Sequence, residues 1–148
     1  MNMKLKISRT NLQHQLNKTR SKRIDEKLIM DEVREILIQD NLREETIQKN
    51  LQETQEQSND LNFDLLESNR IYHKDDIYKL CVIYRLRFLD SGLFKSEIPY
   101  EAITRIKSLE NEHDTILKGF KIIAPSKLFK LKNADDPLLF APMGNDYY

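Results

Sequence analysis

The chain has 148 residues, 39% of them apolar, and its 24 basic and 24 acidic residues cancel to a formal net charge of zero. That length suits one compact domain with a sizeable core. A single cysteine, Cys81, excludes an internal disulfide framework and a zinc cluster, and no stretch approaches the roughly 20 apolar residues of a membrane span.

The charges cancel in sum but not in place. Residues 1–24 hold seven Lys/Arg and no acid, residues 25–76 carry a net of −9, and residues 77–148 carry +2. The expected organisation is therefore a basic N-terminal arm (1–24), an acidic, polar helical arm or linker (25–60) and a small α+β module (61–148). The fold class expected is predominantly α with a small β element. The basic N-terminus lacks the apolar run of a secretory signal. It does have the loose composition of an organellar presequence, which equally describes an ordinary basic arm.

In chain order, Thr10 and Gln13 offer a capping box ahead of Leu12 and Leu16, which sit at helical spacing. A firmer helix follows, with Asp25 and Glu26 in its first turn and Leu28, Ile29, Val33, Ile36 and Leu37 as an apolar stripe. No Gly or Pro separates the two segments. Asn41 and Glu44 form another capping pattern. From there to Asp60 the apolar residues thin to Leu42, Ile47 and Leu51 among Gln, Glu and Asn. Such a composition does not hold a core by itself, so an exposed helix, a partner-dependent coiled coil or a partly disordered linker is expected, with a boundary at Ser58, Asn59 and Asp60.

The C-terminal part is richer. Asp75 and Asp76 open a helix over 75–89 whose apolar residues cover almost every side, with Leu80 and Tyr84 expected at the centre of the core and Ser91 and Gly92 ending it. Pro99 starts a helix over 99–117 that buries Ala102, Ile103, Ile106 and Leu109, and Gly119 stops it. Residues 120–124 read as a strand before Pro125. Ser126 caps a short helical turn over 127–131, and 133–137 is a turn. Residues 138–141 form a short apolar strand, 142–146 are dense in turn formers, and Tyr147 and Tyr148 open a second strand where the sequence ends. The reading is a chain cut within a β-hairpin, with 138–141 lacking a neighbour and the two tyrosines poorly ordered or ordered only by a partner.

Candidates for chemistry are few. His14, His73 and His113 are scattered without ligand spacing, so no metal or cofactor is expected. Cys81 falls on the apolar stripe and reads as a buried, protonated thiol. Asp75 and Asp76 point about 100° apart on a helix and are explained by its dipole. The three glycines are too dispersed for a phosphate loop, and no catalytic constellation is recognisable. The feature with a functional direction is the crowding of Lys18, Arg20, Lys22 and Arg23 into six residues. Those four are the candidate nucleic-acid contacts, through phosphates and without base reading, since no aromatic residue accompanies them. The competing reading is a solvated arm beside the acids downstream.

Three stretches together resemble an uncharacterised bacterial protein family over about residues 67–148. They are residues 84–90 (YRLRFLD) with 98–103 (IPYEAI), residues 120–125 (FKIIAP), and residues 136–142 (DPLLFAP) with Gly144, Tyr147 and Tyr148. The resemblance implies a chain that continues past the paired tyrosines, completes the hairpin and reaches membrane-spanning helices. It thus implies a soluble cytoplasmic portion of a membrane-associated protein, and it supplies no catalytic residues. The residues themselves point to a non-enzymatic, cytoplasmic interaction or regulatory module, whose helical arm contacts a protein partner or a second copy. Nucleic-acid binding through the basic arm is the alternative.

Overall fold

The computed structural model describes residues 10–125 and 137–148. The chain divides into two compact units, residues 1–41 and 42–148. It is α+β: four helices and one three-stranded antiparallel sheet among the described residues.

The first unit is helical. α1 (Leu12–Arg23) is capped by Asn11, whose side-chain oxygen accepts the His14 N–H at 3.2 Å, so the cap falls one residue after the Thr10 that the capping-box pattern offered. Arg20, Lys22 and Arg23 occupy its last turn, where positive charge complements the helix dipole. Ile24 is extended, and its N–H closes the helix on the Arg20 carbonyl. Asp25 then opens α2 (Glu26–Gln52), accepting the N–H groups of Lys27 and Leu28 at 3.1 and 3.3 Å. The two helices are thus separate, broken at Ile24 and Asp25. α2 does not restart at Asn41, because helical hydrogen bonding runs unbroken to Gln52 and leaves that capping pattern unused.

The second unit begins within α2, and here composition misleads. Ile47 and Leu51 lie in the main core with Leu61, Ile103, Ile106, Leu117 and Phe120. The boundary expected at 58–60 is therefore not where the compact unit begins. Two well-placed apolar side chains fix a sparse helix if the rest of the chain supplies the other wall. Ser91 Oγ donates to the Leu51 carbonyl at 2.6 Å, and a Cβ on Gly92 would collide with the Gln52 carbonyl oxygen. The end of α2 is gripped by backbone as well as by apolar contact.

α3 (Lys74–Tyr84) is capped by His73, whose Nδ1 accepts the Asp75 N–H at 3.2 Å. It ends five residues earlier than expected, at Arg85 in the left-handed region with φ 53°. Residues 86–90 form β1 (Leu86–Asp90) instead, because they pair antiparallel with β2 (Lys121–Pro125), Phe88 opposite Ile123. The ladder outweighs the helical spacing. Leu80 and Tyr84 are consequently not central: Leu80 is 38% exposed and Tyr84 65%. The buried face of α3 is Ile77 and Cys81, packed with Ile123.

α4 (Tyr100–His113) buries Ile103, Ile106 and Glu110, and stops at Asp114, also left-handed, four residues short of the expected end. Gly119, at φ 69°, lies further along the loop, close against the Gln55 and Gln57 backbone. β2 is the central strand. Ile122 and Ala124 face one apolar cluster and Ile123 the other, which explains its continuous apolar run. β3 (Leu138–Phe140) pairs with β2, Leu139 opposite Ile122. The helical turn expected at 127–131 and most of the turn at 133–137 lie outside the described residues.

The C-terminal residues correct the expectation that 138–141 lack a neighbour and that the two tyrosines are ordered only by a partner. Strand 138–140 takes β2 as its neighbour rather than the tyrosines. Asn145 and Asp146 both have positive φ, and the Tyr147 N–H returns to the Gly144 carbonyl, closing a tight turn. Tyr148 exchanges both backbone hydrogen bonds with Tyr72, at 2.8 and 2.9 Å. Its ring meets Phe88 edge-on at 5.1 Å, and Tyr147 meets His73 at 5.0 Å. Both tyrosines are ordered by this chain's own residues 72–73 and 88.

Candidate functional site

The four basic residues singled out in the sequence all lie on α1, and all are exposed. At 100° per residue, Lys18 and Lys22 share one side of the helix, while Arg20 and Arg23 share another. They do not form a single stripe. Lys18 and Arg20 border an open concavity together with His14, Asn17, Ser21 and Glu26, which places one acid among the cations. Lys22 and Arg23 are not part of its lining.

The apolar stripe of the first unit has no cover of its own. Ten large apolar side chains between Leu12 and Ile38 are exposed, among them Leu12 at 75% and Ile36 at 64%, and every described residue up to Leu42 is exposed. Isolated exposed apolar residues are ordinary, but a shared face such as Ile29, Val33, Ile36 and Leu37 on α2 is not. On the exposed surface of this unit Arg34 meets Asp31 at 3.5 Å.

The second unit has its polar groups engaged in holding the fold. Glu110, 3% exposed, accepts Arg43 Nε and Nη2 at 3.3 Å through one carboxylate oxygen and the Leu117 N–H at 3.0 Å through the other. Arg43 also reaches Asn111 at 2.5 Å. Asn50 donates to the Leu117 carbonyl, and Asn59 bonds to Lys118 and Pro142. Lys107 and Tyr100 both hold Glu44, at 2.6 and 2.8 Å. Lys121 pairs with Asp90 across the β1–β2 ladder.

Sequence reasoning missed this network. Its one signal was Glu110 itself, four residues after Ile106 on the apolar face of α4, where a carboxylate needs partners. His113 has a related role: its Nδ1 accepts the Asn62 N–H at 3.0 Å, while Nε2 is buried without a partner.

Cys81 is buried, and burial pushes its thiol above the ordinary range. The outer side of α3 is apolar instead. Tyr78, Val82 and Ile83 line an open concavity with Asp75 and Lys79, and Val82 is 79% exposed. Among the described residues no group of three His, Cys, Asp or Glu is placed to hold a metal ion, and no helix is long and apolar enough to cross a membrane. No family model, curated protein or solved structure matches the chain.

Proposed function

We propose that the chain is a protein-interaction or regulatory module that works by docking rather than catalysis, with the helices before Leu42 as its contact element. The observation that carries this reading is the set of ten exposed apolar side chains in the first unit, four of which, Ile29, Val33, Ile36 and Leu37, share one face of α2. An uncovered apolar face of this kind marks an interaction surface. α1 also has no buried residue, and a helix of 12 residues is marginal in water without packing. A partner that covers the stripe supplies what the helix lacks. The single buried thiol suits a reducing, cytoplasmic setting.

Capture from an extract of the source cells tests the reading, comparing the full chain with an Ile29→Ser, Val33→Ser, Ile36→Ser variant. A defined partner, a second copy included, should be retained by the first and lost by the second. Identical captured sets would overturn the reading.

A second reading is nucleic-acid binding through Lys18, Arg20, Lys22 and Arg23. It is favoured by the exposure of all four on a helix without acids. Phosphate contacts lose affinity steeply with salt, whereas apolar contacts do not. Fluorescence anisotropy with duplex and single-stranded oligonucleotides at two salt concentrations separates the readings. Salt-sensitive binding abolished by neutralising the four residues would favour this one.

A further inference from the structure

We propose that the partner covering the arm is a second copy of this chain: α1 of each copy lies along residues 26–41 of α2 of the other. The proposal rests on the docking reading above and names its occupant.

Charge decides the pairing. α1 carries four cations, Lys18, Arg20, Lys22 and Arg23, and no acid. Residues 25–41 carry six acids against two bases, a net of −4. Pairing α1 with α1 sets +4 against +4, and pairing the acidic stretch with itself sets −4 against −4. Only the crossed pairing attracts, and like charges juxtaposed across an interface disfavour the other two.

The apolar rows and the lengths agree. Leu12 and Leu16 stand one turn apart on α1, and Ile29, Val33, Ile36 and Leu37 form a stripe on α2 bordered on one side by Glu32 and Glu35. Twelve residues of α1 span about 18 Å and residues 26–41 about 24 Å, so the shorter helix fits within the longer. The chain does not make this contact with itself: Leu12 and Leu16 are 75% and 70% exposed, and the stripe residues of its own α2 are exposed too. A twofold axis makes every crossed contact twice, so one modest helix pair becomes two around a shared apolar centre.

The test uses the full chain in sedimentation velocity over a concentration series, with two charge-reversed variants. One carries Lys18→Glu, Lys22→Glu and Arg23→Glu, which turns the α1 charge to −2. The other carries Glu26→Lys, Glu32→Lys and Glu35→Lys, which turns residues 25–41 to +2. The wild-type chain should dimerise. Each variant alone should dimerise at least about tenfold more weakly, because both crossed pairings become repulsive. Mixed in equal amounts they should form a heterodimer, because both pairings attract again.

A monomeric wild-type chain overturns the proposal. So does a variant that dimerises alone as well as wild type, a mixture that stays monomeric, or a wild-type complex whose absorbance ratio shows its extra mass to be nucleic acid. Circular dichroism of each variant first establishes that its helix content matches wild type, so a mixture that stays monomeric reports lost pairing and not a lost helix. If dimerisation fails while the stripe still captures a different protein, the docking reading stands and the copy-to-copy proposal falls. If both fail, both fall.

Discussion

Ile77 and Leu80 sit three residues apart on one helix and differ tenfold in exposure, 4% against 38%. An unpaired charge costs several kcal/mol only where water is excluded. Ile77→Asp should therefore abolish folding of the second unit, while Leu80→Asp should cost about 1 kcal/mol or less. Circular dichroism melts of the two variants check this, and similar losses would place both side chains in the core. Glu110 offers a second test. Glu110→Ala strands the Arg43 guanidinium and the Leu117 N–H, and Arg43 is about a third exposed, so water recovers part of its solvation. The expected loss is about 2–4 kcal/mol in urea unfolding, with Glu110→Gln losing less because it keeps an acceptor. Cys81 gives a pH dependence. Its folded thiol titrates above the ordinary range because burial disfavours the thiolate. Its contribution to stability is complete below the unfolded thiol's pKa and is lost as pH rises through the folded one. Unfolding free energy should fall in that alkaline window for wild type and not for Cys81→Ala, as parallel denaturation curves at several pH values would show.

At the scale of elements, two helix ends rest on residues other than glycine in the left-handed region, Arg85 at φ 53° and Asp114 at φ 49°. Arg85→Gly relieves that backbone without removing a side-chain contact the fold uses, and should stabilise by about 0.5–1 kcal/mol. A thermal melt should rise by a few degrees, and a fall would show that the Arg85 side chain holds something in place. α2 is the other informative element, because one helix serves two environments. Val33 is 43% exposed and Ile47 is 1% exposed. Ile47→Ser should cost several kcal/mol and Val33→Ser almost nothing in the stability of the second unit. Tyrosine near-UV signals in urea report on that unit alone, since all six tyrosines lie beyond residue 70.

For the whole molecule, the division at residues 41 and 42 sets where a protease enters first. Lys22, Arg23, Lys27 and Arg34 are exposed in the first unit, whereas residues 47–61 include Ile47, Asn50, Leu51, Asn59 and Leu61, all buried. Brief trypsin treatment with mass spectrometry should cut at the former sites while Lys49 survives. Early cleavage at Lys49 would mean that the end of α2 opens readily despite its contacts to Ser91 and Gly92.

What the sequence determined by itself is whatever depends on neighbours along the chain. The helix after Asp25 was legible from first-turn acids and apolar spacing, Pro99 marked the start of α4, residues 120–124 announced a strand, and the burial of Cys81 followed from its place on an apolar helical stripe. The α+β class followed from those elements. What tertiary structure decided depends on partners far along the chain. Residues 86–90 have the spacing of a buried helix and are a strand because β2 offers a ladder. Ile47 and Leu51 look isolated in a polar stretch and are core because α4 and Phe120 complete their wall. Glu110 is tolerated on an apolar face because Arg43, 67 residues earlier, meets it. Tyr147 and Tyr148 read as an unfinished strand and find their backbone partners in residues 72–73 and 143–144. Periodicity records which side of an element is apolar, but the surface that side meets is supplied by residues tens of positions away, and no local pattern carries that information.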